Sequence, residues 1–408
     1  MNHEKNAEMN KLILEAKALQ EELVSYRRHL HENPEIGMNI PKTAAFVKGK
    51  LEEMGYDAQF ISKTGVTALA GGKKPGKVIL LRADMDALPI IEESDVEFKS
   101  KNDYMHACGH DFHTTMLLGA AKLLKEREDE LEGTVKFMFQ PAEETLEGAK
   151  QMIEDGILEN PKVDAAIMFH VVAGMPIPSG MILVPESGVF SSASDSFELL
   201  IKGRGGHGAM PETTVDPLIV ASHIHIALQE IRSRELAGGE NAVITVSQIH
   251  GGDSYNVIPD SAVMKGTLRS MNPETRRQIS RRVEEIAKGV GQVFRADVSF
   301  KLIEGCPSVI NDESVVNDVR SILTEAFGPQ VVPDIDTLKR QKLNGSEDFS
   351  FVSEQVPSAM LVLGAGSLEE GYAYSLHHPK VKFNEAVLAR GASAYALIAL
   401  QWLKVNKH

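Results

Sequence analysis

Two cysteines and one tryptophan are all that the 408 residues hold of either type. A disulfide framework is therefore excluded, and a chain of this length needs none to bury a core. So few thiols also fit a reducing compartment, and a cytoplasmic protein is expected. Long apolar runs are missing, and none looks able to span a bilayer. Near the start, Leu12, Ala16, Leu19, Leu23, Tyr26 and Leu30 recur every three or four residues, which predicts an amphipathic helix rather than a signal core. Positive charge is in deficit as well: 43 Lys and Arg stand against 57 Asp and Glu, a net −14. With no basic stripe, nucleic acid is excluded as a partner. Repeats and low-complexity segments do not occur. The remainder is an ordinary globular composition, 43% hydrophobic, in a chain too long for one ordinary domain.

Against that plain background one segment stands out. Met105-His106-Ala107-Cys108-Gly109-His110-Asp111-Phe112-His113 packs three imidazoles and one of the two cysteines into nine residues. Thiolate and imidazole nitrogen suit zinc, nickel, cobalt and, less well, manganese. A zinc finger is not the source, since no CxxC pair and no second CxxC or HxxxH follows. The segment reads as one limb of a catalytic metal site completed from elsewhere. Alone, it fits a reduced buried cysteine beside surface histidines equally well, so further limbs decide.

Those limbs follow short apolar runs. Val78 to Leu81 precedes Arg82-Ala83-Asp84-Met85-Asp86-Ala87-Leu88-Pro89; Thr134 to Phe139 precedes Gln140-Pro141-Ala142-Glu143-Glu144; Val163 to Phe169 ends on His170. Runs of this length, bounded by turn residues, predict buried parallel strands. Helical stretches at Thr114 to Lys125 and Glu147 to Ile157 lie between them, giving the order βαβαβ. Acids or imidazoles thus fall at the C-terminal ends of three strands, the edge where open α/β sheets bind ligands. A single Asp after a strand is usually a turn former, but three coincident clusters are not.

The middle of the chain reads differently. Strands at Ser196 to Lys202, Ala242 to Ile249, Ala262 to Leu268 and Asp297 to Ile303 alternate with helices at Asp216 to Glu235 and from Asn272-Pro273-Glu274 to Val293. The β-α-β-β-α-β order is the split βαβ of ferredoxin-like domains. After Gly305-Cys306-Pro307 the chain is expected to return with a helix (Asp312 to Phe327), a strand (Ala359 to Leu363) and a last helix (Asn384 to Leu403). The expected fold class is α/β. A catalytic domain with a mostly parallel sheet (1–190 and 306–408) carries an inserted α+β satellite (191–305).

At this point the chain resembles the M20 metallopeptidase and amidohydrolase superfamily, in its aminoacylase-like branch with hippurate hydrolases, N-acetyl-amino-acid deacetylases and auxin-conjugate hydrolases. The matching segments include His31-Glu32-Asn33-Pro34-Glu35-Ile36-Gly37, Arg82 to Pro89, His106 to Asp111, Gln140 to Glu144 and Gly205-Gly206-His207-Gly208-Ala209. They continue with Asn256-Val257-Ile258-Pro259, Gly266-Thr267-Leu268-Arg269, Gly345-Ser346-Glu347-Asp348-Phe349 and His377-His378-Pro379. They run in family order from near one end of the chain to near the other.

The resemblance implies a site with two divalent metal ions per chain, zinc or manganese, with cobalt or nickel also suited. Cys108 matches the ligand that bridges the metals; His110, Glu144, His170 and His377 match the terminal ligands. Glu143 matches the general base acting on a metal-bridging water. In an extended segment successive side chains point oppositely, so one of the adjacent carboxylates could hold metal while the other faces water. Asp86 is expected to orient a ligand from behind. His207, from the satellite, matches the donor to the developing oxyanion and reaches the neighbouring subunit's site in family dimers. Asn256 and Arg269 match positions that bind the substrate's carboxylate. The implied activity is metal-dependent hydrolysis of N-acyl amino acids to a carboxylic acid and a free amino acid. The implied assembly is a homodimer through the satellite, away from membranes. An M20-type dipeptidase is the nearest alternative, and a non-catalytic metal-binding relative the alternative from another class. His113 is read as capping or lining the following helix, Cys306 as packing, and His223, His225 and His250 as core or surface histidines. His378 and Glu212 stand where the family pattern usually has other residues.

Overall fold

A computed structural model of the chain describes residues 2–333 and 345–407. Among these, one compact unit comprises 2–190, 310–333 and 348–407, and a second comprises 191–309 and 345–347.

The first unit opens with two helices where one was expected, α1 (Asn2–Ala18) and α2 (Gln20–Glu32). They separate at Leu19, whose N–H is shared between the carbonyls of Glu15 and Ala16, a bifurcated bond typical of helix ends. The apolar period survives the break: Leu12 and Ala16 on one side, Leu23 and Leu30 on the other, are all buried. Next come α3 (Pro41–Glu53), whose proline occupies the first helical turn where its missing N–H costs nothing, and the strands β1 (Gln59–Ile61) and β2 (Gly65–Gly71). Then follow β3 (Val78–Asp84), α4 (His110–Lys125), β4 (Thr134–Gln140), α5 (Gly148–Glu154) and β5 (Ala165–Val172). The short β6 (Ile182–Leu183) and β7 (Gly188–Val189) close this stretch. Every residue of β3, β4 and β5 is buried, as expected of strands covered on both faces. β5 runs two residues past His170, so this imidazole projects from within the strand and not from the turn after it.

The second unit holds β8 (Ala193–Lys202), the two-residue β9 (Gly206–His207), α6 (Pro217–Ala227) and β10 (Ala242–His250). After these come β11 (Val257–Ile258), β12 (Ser261–Ser270), α7 (Pro273–Val293) and β13 (Asp297–Cys306). Its antiparallel sheet has the order β10-β12-β8-β13, the strand arrangement of a split βαβ. Asp216 and Asn272 cap α6 and α7 by accepting from N–H groups of the first turns, and each helix then starts on proline. α6 stops at Ala227; Ile231–Glu235 is a separate wide turn of helix rather than the end of one long helix. Thr275, Ile279, Val283 and Ala287 form the buried stripe of α7 at a four-residue period.

β13 continues through Cys306, which pairs with Ser194, so the return to the first unit comes at Ile310 rather than at 306. There β14 (Ile310–Asn311) pairs with β7, followed by α8 (Glu313–Phe327), α9 (Ser350–Ser353), β15 (Ser358–Gly364) and α10 (Leu388–Val405). The completed sheet has the order β1-β2-β4-β3-β5-β15-β6. Its centre, β4-β3-β5-β15, is parallel, and the flanking strands are antiparallel. The chain thus places β4 on one side of β3 and β5 on the other, and the C-terminal ends of all three converge on one edge. The expectation on apolar runs is corrected here. Glu385–Val405 is long and apolar enough to cross a membrane by length and composition, but 89% of its apolar window is buried inside the fold. It packs on α4, α8 and α1 as a core helix.

Candidate metal centre

Chemistry gathers where β3, β4 and β5 end. Gly109 sits between Cys108 and His110 with φ +86°, and a Cβ there would lie 2.4 Å from Val171 Cγ2. Only glycine satisfies both the left-handed turn and the close approach. That turn starts α4 on His110, whose Nδ1–H donates to the Asp86 carbonyl at 2.8 Å. His170 is fixed in the same way, its Nδ1–H donating to the Val171 carbonyl at 2.7 Å. Both tautomers therefore leave Nε2 as the lone-pair nitrogen.

Asp86 does more than face a ligand. Its two carboxylate oxygens accept the backbone N–H groups of Glu143 and Glu144, at 3.0 and 3.1 Å. This grip bends Glu143 to Leu146 into a turn preceded by Ala142 at φ +56°. The extended segment expected for the two carboxylates is therefore corrected. Because the segment turns, both carboxylates come within 3.8 Å of His110 Nε2.

His377 arrives from the far end of the chain, held in the left-handed region (φ +65°) by its N–H donating to the Ala107 carbonyl at 2.9 Å. Strain of this kind in a non-glycine residue concentrates at functional sites. Its Nε2 lies 3.3 Å from Cys108 Sγ and 3.7 Å from Glu144, and its side chain is 55% exposed. His378 instead stacks on Tyr374 with centroids 4.2 Å apart, and its Nδ1 accepts the Lys380 N–H, so it serves the turn.

Two triads of donor atoms result, Cys108 with His110 and His170, and Cys108 with Glu144 and His377, and the thiol belongs to both. Glu143 joins Glu144 around His110 but belongs to neither thiol triad. His110 Nε2 and Glu144 Oε1 are buried without a hydrogen-bond partner, a costly arrangement unless something else bonds them. Sulfur, nitrogen and carboxylate oxygen are the donors divalent transition metals take. The residues fit two such ions. Ionisation tells the same story. Burial, aided by Glu144, pushes the Cys108 thiol well up, and burial raises Glu144 to about 7. Burial lowers His170 to about 3. A cation among them reverses the burden on the acids and suits the neutral imidazole.

In the second unit, His207 ends β9, which pairs with β11, and Asn256 immediately precedes β11. The Ala209 N–H donates to His207 Nδ1 at 3.1 Å, which leaves the proton on Nε2. Asn256 Oδ1 accepts from Ser254 Oγ, and its carbonyl accepts the Gly208 N–H. Arg269 lies on β12 instead, where its Nη1 donates to Ser346 Oγ at 2.8 Å. Glu212 is exposed in the turn Pro211–Thr213.

Some participants escaped the sequence reading. His113 is no mere helix liner: its Nδ1–H donates to Asp84 at 2.6 Å, and its Nε2 accepts the Val171 N–H. Arg82, fully buried, donates to Gln140, Asp84 and Asp348 and ties the ends of β3 and β4 to the start of α9. An imidazole three residues after His110 was the only available signal for His113. For Arg82 the signal was a charged residue in an apolar run.

Comparisons with known proteins identify the family. The model of the family described as peptidase family M20/M25/M40 matches residues 80–401. The chain is 39% identical to IAA-amino acid hydrolase ILR1-like 2 of Arabidopsis thaliana, covering 94% of this chain and 85% of that one. It is 37% identical to N-acetylcysteine deacetylase of Bacillus subtilis (strain 168), covering 96% and 99%. Among solved structures, the YXEP protein of Bacillus subtilis, a dinuclear metal-binding peptidase from the M20 family, superposes with a TM-score of 0.80 at 34% identity, covering 95% of this chain and 99% of that one.

Proposed function

Because the chain belongs to peptidase family M20/M25/M40, we propose that it is a metal-dependent amidohydrolase that cleaves N-acyl amino acids to a carboxylic acid and a free amino acid. The observation that carries this reading is the Cys108 thiol common to two donor triads with the Glu143 carboxylate beside them. Two divalent ions held there, zinc or manganese, with cobalt or nickel also suited, would supply Lewis acidity and lower the pKa of a bound water toward neutrality. Glu143 accepts the proton of the attacking water and returns it to the leaving nitrogen. Asp86, through the two N–H groups it accepts, keeps Glu143 and Glu144 in one turn so that base and ligand hold their places. Asn256 and the Arg269 guanidinium take the substrate's carboxylate. Two buried free thiols, Cys108 and Cys306, are consistent with a reducing, cytoplasmic setting.

The test is a panel of acetyl, benzoyl and long-acyl amino acids against dipeptides, assayed with several divalent ions. Hydrolysis of the acylated substrates with dipeptides left intact is the expected result. The reverse preference overturns it, because a free substrate ammonium needs an acidic partner.

His207 is assigned to the oxyanion, acting across a homodimer formed by the second unit. Its fixed Nε2–H is a donor by the Ala209 bond. The edge strand β10 exposes Val243 and Ile249, as an unpartnered edge awaiting a second chain would. Removing an oxyanion donor costs about 10²–10³-fold in turnover, so His207→Ala is expected to lose that much with its metal content unchanged. Mixing it with inactive Glu143→Gln chains should restore partial activity. No recovery despite demonstrated subunit exchange would place His207 at its own chain's site.

A further inference from the structure

Among the described residues beside the ligand set, His113 is buried, keeps both ring nitrogens engaged and has no part in the steps above. It stands one turn after His110 on α4, so the two imidazoles share a helix face. The ladder between β3 and β5 ends at Arg82 paired with Met168, three residues short of Val171. Among the described residues no strand takes the Val171 N–H on that side of β5, and a buried N–H does not go unpaired without cost. His113 Nε2 accepts it at 2.8 Å. An accepting Nε2 carries no proton, so Nδ1 does, and Nδ1–H donates to Asp84 Oδ1 at 2.6 Å. Arg82 Nη1 holds the other Asp84 oxygen at 2.8 Å.

The carbonyl of that same Val171 accepts the Nδ1–H of His170, which turns His170 Nε2 toward Cys108 Sγ, 3.6 Å away. The two rings also meet edge to face, centroids 4.7 Å apart. A relay therefore runs from Arg82 through Asp84 and His113 to one backbone residue, and from its carbonyl to a ligand. We propose that His113, held by Asp84, is a positioning residue that sets the aim of His170 at the ion it shares with Cys108 and His110. The inference rests on the two-ion reading above, and it assigns His113 to one ion and not the other.

Zinc titration of the full metal-free chain against a chromophoric chelator resolves the two ions without any turnover. The unsubstituted chain is expected to bind two. Supporting partners behind metal ligands are worth about 10–100-fold in metal affinity. His113→Ala is therefore expected to weaken one ion by that factor and leave the Glu144 and His377 ion unchanged. His113→Gln, whose side-chain carbonyl can accept the Val171 N–H, should recover part of the loss, and Asp84→Asn should show a smaller one. Both ions bound by His113→Ala and His113→Gln as tightly as by the unsubstituted chain would overturn the inference. So would an equal loss of both ions. Fewer than two ions on the unsubstituted chain would instead overturn the two-ion reading. Should His113→Ala fail to fold, His113→Gln and Asp84→Asn carry the same comparison.

Discussion

Glu143→Gln is expected to keep its fold and both metal ions while losing hydrolysis by about 10²–10⁴-fold, the usual worth of general acid–base catalysis. The amide preserves the shape of the side chain and cannot take a proton. Nothing else in the turn need move, because Asp86 grips the backbone N–H of residue 143 and not its carboxylate. The neighbouring substitution separates the two roles. Glu144 is shared with Cys108 and His377, so Glu144→Gln should lower metal affinity itself, and added metal should recover part of its rate. Added metal should do nothing for Glu143→Gln. Near-normal turnover by Glu143→Gln would move the base to another residue, and full rescue of it by metal would make Glu143 a ligand.

Chelation is the second large effect. Stripping the metals should take turnover to background, and restoring two ions per chain should be needed for full activity. Full activity with one ion bound, or none, would sink the two-ion reading. Cys108 is the residue through which both ions should be lost, since its sulfur lies in both triads. Cys108→Ala should therefore retain less metal than Cys306→Ala at the same free concentration. Cys306 makes a fair control because it too is buried, paired along β13 with Ser194, and outside every donor group found among the described residues. Equal metal content in the two variants would contradict the bridge.

How far the site could be read from the sequence depends on whether its logic is local. Cys108 and His110 announce themselves because ligand chemistry is written in residue type and crowded into a few residues at the start of α4, whereas what His113 does is set by Asp84 and Val171, which lie far from it in sequence. The strands that carry Asp84 and His170 and the strand before Glu143 are legible because burial on both faces leaves unbroken apolar runs. The turn at Glu143 and Glu144 was not legible. Its shape is dictated by a carboxylate 57 residues earlier, and an extended reading was the natural default. Arg82 hid for the same reason, with one partner 58 residues away and another 266. His377 was reached through the family pattern alone, since a lone His-His-Pro does not state that its backbone is held at positive φ against Ala107. β2 passed unnoticed because Gly65 to Gly71 is built of small residues, and its pairing with β4 supplies what its side chains do not.

The interruption of the first unit by the second has a consequence for how the protein is made. A ribosome releases β3, β4 and β5 long before β15, the strand that pairs with β5, and α10, the helix that packs over α4. The second unit is contiguous apart from one short later segment, so its sheet can close while the first still waits for its missing strand. Until then the Asp84 and Arg82 charges lack Asp348, and apolar strand edges stand open, the circumstance in which nascent chains aggregate. The one helix among the described residues that is long and apolar enough to cross a membrane emerges after every other element and meets a groove already waiting for it. Late synthesis keeps its exposure short.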